Sequence, residues 1–459
     1  MGKTDFNAVF PQAGAKLWKQ QIQYELQGAD YNETLVWESP EGIRIKPFYT
    51  REDLEGQEIR PVLPGGAPRM GQAIRVTHAE QANSAARKAL EGGAGALQFI
   101  LPAETVKADE LLRGIDLGTT PVHFSFGFLS PAFMEEVLAL LPGKPSGVYF
   151  HLDIIGRFVT SGNWYGRKEK DFEVVRALLL KTGNRPGVYL LGADGSPYLN
   201  AGANRVQQLA YTLAHAHEYL HAFGELLSAP LVFTMAVGPD YFFEIAKLRA
   251  LRLLWEPLAH EYGLPSACHL VAIPGLRNKT IYDYNNNMLR AASECMSAIL
   301  GTADTIVNLP YDAFFKEPNP FSSRMALNQL LILKHESGLD KVANPADGAY
   351  YIESLSLQLA EKSLSLFKQL EAGGGFLKQL GDHTIQKKIK ESAAREQKLF
   401  DQGQQVLVGI NSAPDMADRM KPQLKAALHK PEKKGKTLIE PLLVKRLAAA
   451  MEQKRLADE

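Results

Sequence analysis

Short apolar segments rich in β-branched and aromatic residues alternate with helical patterns through most of this 459-residue chain. There are eight such segments, and a helical pattern follows each of them. Strands that alternate with helices in this way lie parallel and are joined by crossover helices. The predicted strands are AIRVTH (73–78), GALQFIL (95–101), VHFSFG (122–127), GVYFHLDI (147–154), GVYLLGA (187–193), LVFTMAVG (231–238), CHLVAIPG (268–275) and TIVNLP (305–310).

Eight βα units predict an α/β fold of the closed (β/α)8, or TIM, barrel type. An open doubly wound sheet is the alternative, but a glycine-rich phosphate loop usually follows its first strand. Here the residues after the first strand, THAEQANS (77–84), include no glycine. The clearest helix covers residues 241–262, where apolar side chains recur every three or four positions. The sequence therefore favours a barrel domain over residues 69–348.

Residues 1–68 precede the barrel and show no regular pattern, yet they contain many large aromatic side chains. Such a segment has no core of its own, so we expect it to lie as an arm on another surface, in this chain or in a partner. The candidate interface residues are Phe10, Trp18, Tyr24, Tyr31 and Trp37.

The C-terminal segment, residues 349–459, contains no further strand pattern. Its periodicity predicts helices over residues 352–370, 377–399 and 439–457, with the polar stretch KPEKKGK (430–436) between the last two. A flavodoxin-like domain needs alternating strands and helices, so we expect no domain of that kind here.

Charge and cysteine content exclude several classes of protein. Lys+Arg and Asp+Glu both number 51, so neither nucleic acid nor an anionic membrane is an expected partner. No signal peptide or transmembrane segment is predicted. The two cysteines, Cys268 and Cys295, cannot form a disulfide framework, which favours reduced thiols and a cytoplasmic location.

The segment HEYLH (217–221) matches the H-E-x-x-H pattern of zinc peptidases. In the longer form of that pattern a third histidine is expected at the position of Leu227, which cannot bind zinc. On a helical wheel His217 and His221 lie beside the apolar stripe, and we interpret them, with His215, as a solvated flank. We therefore expect no metal site, and a zinc peptidase remains an alternative of low weight.

Barrel enzymes place their catalytic groups at the carboxyl ends of the strands. The sequence predicts one imidazole and one carboxylate there, among apolar and turn residues. Working active sites converge several acids, bases or cations, so this rim argues against catalysis. The residues expected at the rim are Thr77, His78, Leu101, Pro102, Phe126, Gly127, Ile154, Ile155, Asp194–Tyr198, Gly238, Pro239, Pro274, Gly275, Leu309 and Pro310.

Four segments resemble acyl-CoA mutases of the methylmalonyl-CoA type. YFFEIAKLRALRLLW (241–255) and AGANRVQQLAYTLAHAHEYL (201–220) are similar to two of their barrel helices, and residues 319–355 resemble the segment that closes their barrel. EAGGGF (371–376) is similar to the glycine turn that follows. The resemblance is strong over residues 200–376. It implies a barrel whose bore holds an acyl-CoA and whose rim meets a cobalamin domain.

The chain departs from the resemblance where catalytic members bind substrate. Their Tyr-His pair after the fifth strand is replaced by Ser196 and Pro197. In the motif R-T-H-S-Q-T-S-G after the seventh strand, the histidine becomes Val271 and the glutamine becomes Ile273. Their tyrosine-rich opening segment is replaced by GGAPRMGQAIRV (65–76), and the cobalt-binding motif D-x-H-x-x-G does not occur. We therefore predict no catalytic, cofactor-binding or metal-binding residues, and the substrate-binding residues stay unassigned.

The resemblance and these departures together imply a small, non-catalytic subunit of a heterodimeric methylmalonyl-CoA mutase. The large subunit would hold adenosylcobalamin and interconvert methylmalonyl-CoA and succinyl-CoA, while this chain would stabilise it. In isolation the chain could pair with itself as a homodimer. Two other hypotheses stay open. The chain could be an autonomous barrel enzyme that uses a separate cobalamin protein, or a self-associating scaffold with no mutase partner.

Overall fold

Eight parallel strands close into a barrel, which confirms the predicted (β/α)8 fold. The computed structural model describes residues 14–62, 66–317, 319–424 and 435–459. Within these residues no helix has the length and hydropathy needed to cross a membrane. The barrel strands are β1 (Arg69–Arg75), β2 (Ala96–Leu101), β3 (Val122–Phe126), β4 (Val148–Leu152), β5 (Val188–Asp194), β6 (Val232–Val237), β7 (His269–Pro274) and β8 (Thr305–Asn308).

The described helices surround this barrel and extend beyond it at both ends of the chain. Two 3₁₀ turns, Arg51–Leu54 and Gly224–Leu226, add to them. The α-helices are α1 (Ala15–Glu25), α2 (Tyr31–Leu35), α3 (Ala79–Glu91), α4 (Ala108–Leu112), α5 (Pro131–Ala139), α6 (Ile154–Ser161), α7 (Lys168–Thr182), α8 (Ser196–Ala201), α9 (Arg205–Phe223), α10 (Tyr241–Glu261), α11 (Asn286–Leu300), α12 (Pro320–His335), α13 (Tyr350–Ala372), α14 (Phe376–Gly381), α15 (Thr384–Asp401) and α16 (Ala449–Asp458).

All eight predicted strands are present, and the first has the largest error in its bounds. β1 begins at Arg69, four residues before the predicted start, because Arg69 to Gln72 pair in register with Thr305 to Asn308 of β8. This pairing closes the barrel. Closure is a long-range event, so the local pattern around residue 73 carried no sign of it.

Successive residues of each strand face two different layers. On β7, Leu270 and Ala272 pack in the main core between strands and helices. Val271 instead packs with Tyr149, Val232 and Val307, which come from β4, β6 and β8. A cluster that joins strands around the barrel must lie inside it, so this second layer fills the bore.

A buried polar network lies behind β6, between α9 and α10. The Lys247 ammonium donates to Gln208 Oε1 at 2.8 Å, to the carbonyl oxygen of Ala236 at 2.7 Å and to Glu244. Glu244 also accepts from Arg205 Nε at 2.9 Å, and Arg205 Nη1 reaches Glu41 at 3.0 Å. Burial lowers the pKa of Lys247, and the adjacent Glu244 opposes that shift.

Part of the N-terminal segment packs on its own barrel. Residues Trp37–Glu38 pair antiparallel with Arg44–Ile45, and Ile43 between them is buried in the main core. The Trp37 ring meets Phe243 edge-on at 5.9 Å, and Tyr49 lies 5.0 Å from Tyr351. Together with Glu41 in the polar network, these contacts fix residues 37–49 against α10 and α13.

Two helix predictions in the C-terminal segment were wrong. The helix predicted over residues 377–399 is divided into α14 and α15 at His383, whose φ of 58° lies in the left-handed region. The last helix was predicted from residue 439 but begins at Ala449. Residues 438–447 are instead non-helical, because their backbone N–H groups bond to carbonyl oxygens of the barrel loops.

Replacing Lys247 by Met should lower the free energy of unfolding by about 3–5 kcal/mol, since Glu244 and the Gln208 and Ala236 oxygens would stay buried without their donor. Lys388→Met is the matched control, because Lys388 pairs with Glu391 at 2.9 Å on an exposed helix face and should contribute less than about 1 kcal/mol. Denaturation in guanidinium, followed by far-UV circular dichroism, measures both. Similar losses in the two variants would contradict a structural role for the buried network.

Candidate functional site

The bore of the barrel is filled by a stack of aromatic and imidazole rings. Tyr149 lies at its centre, 4.4 Å from the His123 ring, 4.7 Å from Tyr189 and 4.1 Å from His269, measured between ring centroids. These rings come from β3, β4, β5 and β7, so the stack crosses the whole interior. Flat rings in contact leave no space for a ligand at this depth.

Hydrogen bonds join the imidazoles of the stack to one another. His123 Nδ1 lies 2.9 Å from His151 Nε2, and His269 Nε2 lies 3.1 Å from Thr305 Oγ1. Burial lowers the pKa of His151 to about 3 and that of His269 to about 4. Burial also holds the pKa of His123 well below its usual range. The rings are therefore neutral at physiological pH and cannot serve as acids in that range.

The three replaced positions lie where the resemblance placed a substrate. Val271 and Ile273 both pack in the bore cluster, directly above the level of His269 on β7. Pro197 lies in the first turn of α8, immediately after β5 at the carboxyl-end rim. Apolar groups thus occupy the bore at the sites where a histidine and a glutamine were expected from the resemblance.

His151 has an unusual backbone for a residue that is not glycine. Its φ is 40°, and the pairing between β4 and β5 shifts register between Tyr149 and Leu152. This bulge turns the end of β4, so that Asp153 begins α6 and accepts from Gly156 N at 2.7 Å. The predicted strand to residue 154 ends two residues early for this reason.

The rim at β4 and β5 is more polar than the sequence suggested. His215 of α9 places Nε2 2.8 Å from Asp153 Oδ1 and Nδ1 3.1 Å from the Tyr198 hydroxyl. Tyr219 donates to the same Asp153 oxygen at 2.7 Å. Burial would raise the pKa of Asp153, but His215 and the surrounding donors hold it below its ordinary value. Hydrogen bonds thus join Asp153, His215 and Tyr198 in a row that links α6, α8 and α9.

The interpretation of His215 as a solvated residue was wrong. Its side chain is completely buried, and the Phe376 ring stacks on it at 5.7 Å. Phe376 begins α14. This helix covers the flank of α9 that a helical wheel of α9 alone shows as exposed to solvent. His217 is half-buried, with Nδ1 3.1 Å from Glu371 and Nε2 3.0 Å from the Tyr262 hydroxyl. Only His221 of the three is exposed.

Asp194 is a rim carboxyl whose pKa is raised toward physiological pH. Burial raises its pKa to about 6, although the backbone N–H of Ser196 donates to it at 2.8 Å. It lies at the end of β5, next to Pro197 and close to Asp153. Its backbone N–H donates to Asp153 Oδ2 at 3.0 Å, and the negative charge of Asp153 adds to the rise in the pKa of Asp194. Such a group is a candidate acid or base on electrostatic grounds.

The C-terminal strap, residues 438–447, crosses the rim. Its backbone N–H groups bond to the carbonyl oxygens of Gly162 and Val159 after β4, Asn200 after β5 and Arg277 after β7. The Arg277 guanidinium in turn donates to the Lys445 carbonyl at 2.7 Å and pairs with Glu396. The strap therefore lies where loops of a working barrel would approach a ligand.

The candidate interface residues have different environments. Trp18 is 57% exposed, Tyr24 81% and Trp37 51%. Tyr31 is only 6% exposed and lies under Lys19, so it is buried in its own chain and leaves the set of interface candidates. Phe10 lies outside the described residues. Sequence reasoning missed Phe242 and Tyr350, which are exposed beside Tyr351 at the starts of α10 and α13.

Comparisons with known proteins agree with the resemblance. The family model described as methylmalonyl-CoA mutase matches residues 108–455. The methylmalonyl-CoA mutase small subunit of Porphyromonas gingivalis is 29% identical over 487 residues, which cover 98% of this chain and 78% of that subunit. The small subunit of Streptomyces virginiae is 29% identical, with 90% of this chain and 72% of that subunit covered.

A methylmalonyl-CoA mutase from Cereibacter sphaeroides is 30% identical over 454 residues. The alignment covers 86% of this chain but 63% of that protein, so the chain spans less than two thirds of the mutase's length. The small-subunit relatives are covered more completely than this mutase is.

The buried imidazoles predict a loss of stability in acid. A histidine with an unfolded pKa near 6.5 and a folded pKa near 3 contributes stability above pH 6.5 and loses it as the pH falls toward 3. For His151 this loss should reach about 2 kcal/mol at pH 5. His151→Asn, which tolerates the positive φ, should lose about 2 kcal/mol less than the wild type between pH 7.5 and pH 5.

Guanidinium denaturation at the two pH values measures this difference. The matched control is His221→Gln, an exposed position whose replacement should leave the pH dependence of the wild type unchanged. A His151→Asn variant with the same pH dependence as the wild type would show that this ring is not held neutral by the fold.

Proposed function

Because the chain belongs to the methylmalonyl-CoA mutase family, we propose that it acts as a non-catalytic subunit that stabilises a larger, catalytic mutase subunit. The holoenzyme would interconvert methylmalonyl-CoA and succinyl-CoA, and the partner would contribute all of the reacting groups. The observation that carries this proposal is the filled bore. We expect the assembly to be cytoplasmic, and the two cysteines, both buried free thiols, are compatible with a reducing compartment.

The contents of the bore argue against an acyl group entering it. Tyr149 contacts rings on both of its faces, and the His123 and His151 rings are hydrogen-bonded to each other. Admitting a ligand would require breaking these contacts and leaving neutral imidazoles without partners, which costs about 1–3 kcal/mol for each unsatisfied group. Val271 and Ile273 offer no hydrogen bond in exchange. Substrate binding in the bore is thus opposed by both packing and polarity.

Two buried imidazoles of the described bore and rim, His151 and His215, do not fit adenosylcobalamin. Cobalt needs a free imidazole nitrogen, yet His215 uses both ring nitrogens, and His151 contacts His123 and Thr234. The sequence contains no D-x-H-x-x-G motif. The strap over the rim occupies the face against which a cobalamin domain would rest. We therefore assign the cofactor to the partner subunit.

The exposed aromatic surface of the arm is the proposed contact with that partner. Helix α1 buries none of its side chains among the described residues, and Leu17, Trp18 and Tyr24 are all exposed on it. Trp37 of the arm and Phe242 at the start of α10 are exposed as well. Large exposed aromatics are the usual anchors of stable interfaces, and covering one such side chain contributes about 1.5–3 kcal/mol. An isolated chain could cover them by forming a homodimer.

One observation favours a second candidate, an autonomous mutase-type enzyme that uses a separate cobalamin protein. Burial raises the pKa of Asp194 to about 6, and the charge of Asp153 at the same rim adds to that rise; a carboxyl whose pKa is raised by its environment is a common acid or base. His215 is enclosed, however, so no second exposed base faces Asp194 from that side. The two candidates differ in whether the isolated chain turns over substrate.

We expect the purified chain to show no mutase activity with methylmalonyl-CoA, even when adenosylcobalamin is supplied. The physical reason is that Pro197, Val271 and Ile273 provide no group that could hold the acyl substrate. The assay follows succinyl-CoA by chromatography, and visible absorbance follows any change at cobalt. Turnover that persists after removal of all large subunit and disappears in Asp194→Asn would favour the autonomous enzyme instead.

Removing residues 1–28, which include α1, should weaken association with the catalytic subunit at least a hundredfold. The cut leaves Glu41 and Ile43 in place, so the barrel should keep its fold. A point-variant test replaces Leu17, Trp18 and Tyr24 together by Ser. The matched control is Leu180→Ser, because Leu180 is similarly exposed on α7, outside the arm.

Sedimentation velocity of each variant with and without the catalytic subunit measures the association. Far-UV circular dichroism of the variants alone checks that they fold. Unchanged association of both arm variants would place the contact elsewhere on the barrel.

A further inference from the structure

A cavity of about 460 Å³ opens between the arm helices and the segment after them. Every residue that lines it belongs to the arm, so the cavity is separate from the ring stack of the bore. Its volume is within the range of sites that receive small molecules or a few side chains. The residues that line it are Ala15, Lys16, Lys19, Tyr31, Asn32, Val36, Arg44, Lys46, Phe48 and Asp53.

The charges around this cavity are unbalanced. Four of the lining residues are cations and one, Asp53, is an acid. Asp53 is already paired with Lys46. Lys16, Lys19 and Arg44 form no ion pair with any residue in the described ranges. Lys19 lies 4.8 Å above the ring of Tyr31, which holds one ammonium at the cavity wall. In a chain with no net charge, this concentration of cations is local.

An apolar surface adjoins the cations. Phe48 lines the cavity, and its ring meets Trp18 edge-on at 6.1 Å. From Trp18 the exposed face continues along α1 through Leu17 to Tyr24, with no side chain of that helix buried. Protein interfaces combine an apolar centre with a polar rim whose charged groups select the partner, and the exposed face of α1 with the cations beside it offers both elements.

We propose that this cavity receives acidic side chains from a segment of the catalytic partner subunit, whose neighbouring apolar residues cover Leu17 and Trp18. The proposal rests on the proposed function and adds the chemistry of the partner. Carboxylates are the groups that would neutralise Lys16, Lys19 and Arg44. Complementary charge at such a site increases the rate of encounter and fixes register, while the apolar contact supplies most of the affinity.

The test reverses the three unpaired charges in the full-length chain, as Lys16→Glu, Lys19→Glu and Arg44→Glu together. The matched control reverses three exposed lysines on the barrel, Lys88, Lys144 and Lys170, and so makes the same change in net charge. Biolayer interferometry against the purified catalytic subunit gives association constants at 50 and 300 mM salt. We expect the cavity variant to bind at least tenfold more weakly at low salt and to lose most of the salt dependence of the wild type. The control should bind within twofold of the wild type.

Other outcomes separate this proposal from the proposed function. Removal of residues 1–28 could abolish association while the cavity variant binds like the wild type. In that case the proposal that the cavity receives acidic side chains is wrong, and the proposed subunit role stands. If neither change affects binding, both proposals fail. A cavity variant whose isolated chain melts several degrees lower would indicate that these cations stabilise the arm of their own chain. Thermal stabilisation of the wild type by inorganic phosphate, with unchanged subunit binding in the variant, would indicate a small anion. Either result would overturn the proposal.

Discussion

The buried ammonium of Lys247 is the charge around which this barrel and its arm are organised. It donates hydrogen bonds to Glu244, Gln208 and the Ala236 carbonyl. One ammonium therefore neutralises the Glu244 carboxylate and also provides a hydrogen-bond donor for the backbone near the end of β6. Gln208 also donates to the Gly195 carbonyl at 3.1 Å, which brings the end of β5 into the same network. Because an unpaired charge at this depth would cost several kcal/mol, none of these elements can move without the others. Arg205 then extends the network to Glu41, and the position of the N-terminal segment follows from the barrel's own electrostatics.

The bore is held by a different kind of force. Its rings are neutral and pack face to face, so it has the character of a hydrophobic core with a few internal hydrogen bonds. A barrel that binds a ligand needs some interior polar groups left unsatisfied until the ligand arrives. Here the imidazoles satisfy one another and Thr305. The interior therefore contributes to stability in the way that other filled TIM barrels do.

Much of this architecture could be predicted from the sequence, because βα alternation is a local signal repeated eight times. The resemblance implied only that Val271 and Ile273 replace residues that bind substrate, and alternation along β7 explains why both side chains pack in the bore cluster. The burial of His215 could not be predicted. The prediction used the position of His215 on a helical wheel of α9 alone. In the structure Phe376, more than 150 residues later in the chain, covers the flank of α9 on which His215 lies. The polar rim was missed for a related reason, because the bulge at His151 ends β4 early and delivers Asp153 to the rim. The bounds of the last two helices in the C-terminal segment were predicted wrongly for the same reason. Long-range contacts, such as those of the strap with the barrel, determine where these helices begin and end.

The contacts of the strap also determine the order in which parts of the chain fold. Residues 438–447 leave the ribosome after every loop that they touch, and their partners at Gly162, Val159, Asn200 and Arg277 lie some 170 to 280 residues earlier. Contacts of such sequence separation form late, after the local βα units have condensed. Until then the carbonyl groups of the rim are bonded to water and the mouth of the barrel is uncovered. The nascent chain therefore passes through a stage in which its barrel is complete but open at the carboxyl face. In that interval the rim is accessible to chaperones, and the docking of residues 438–447 brings the interval to an end.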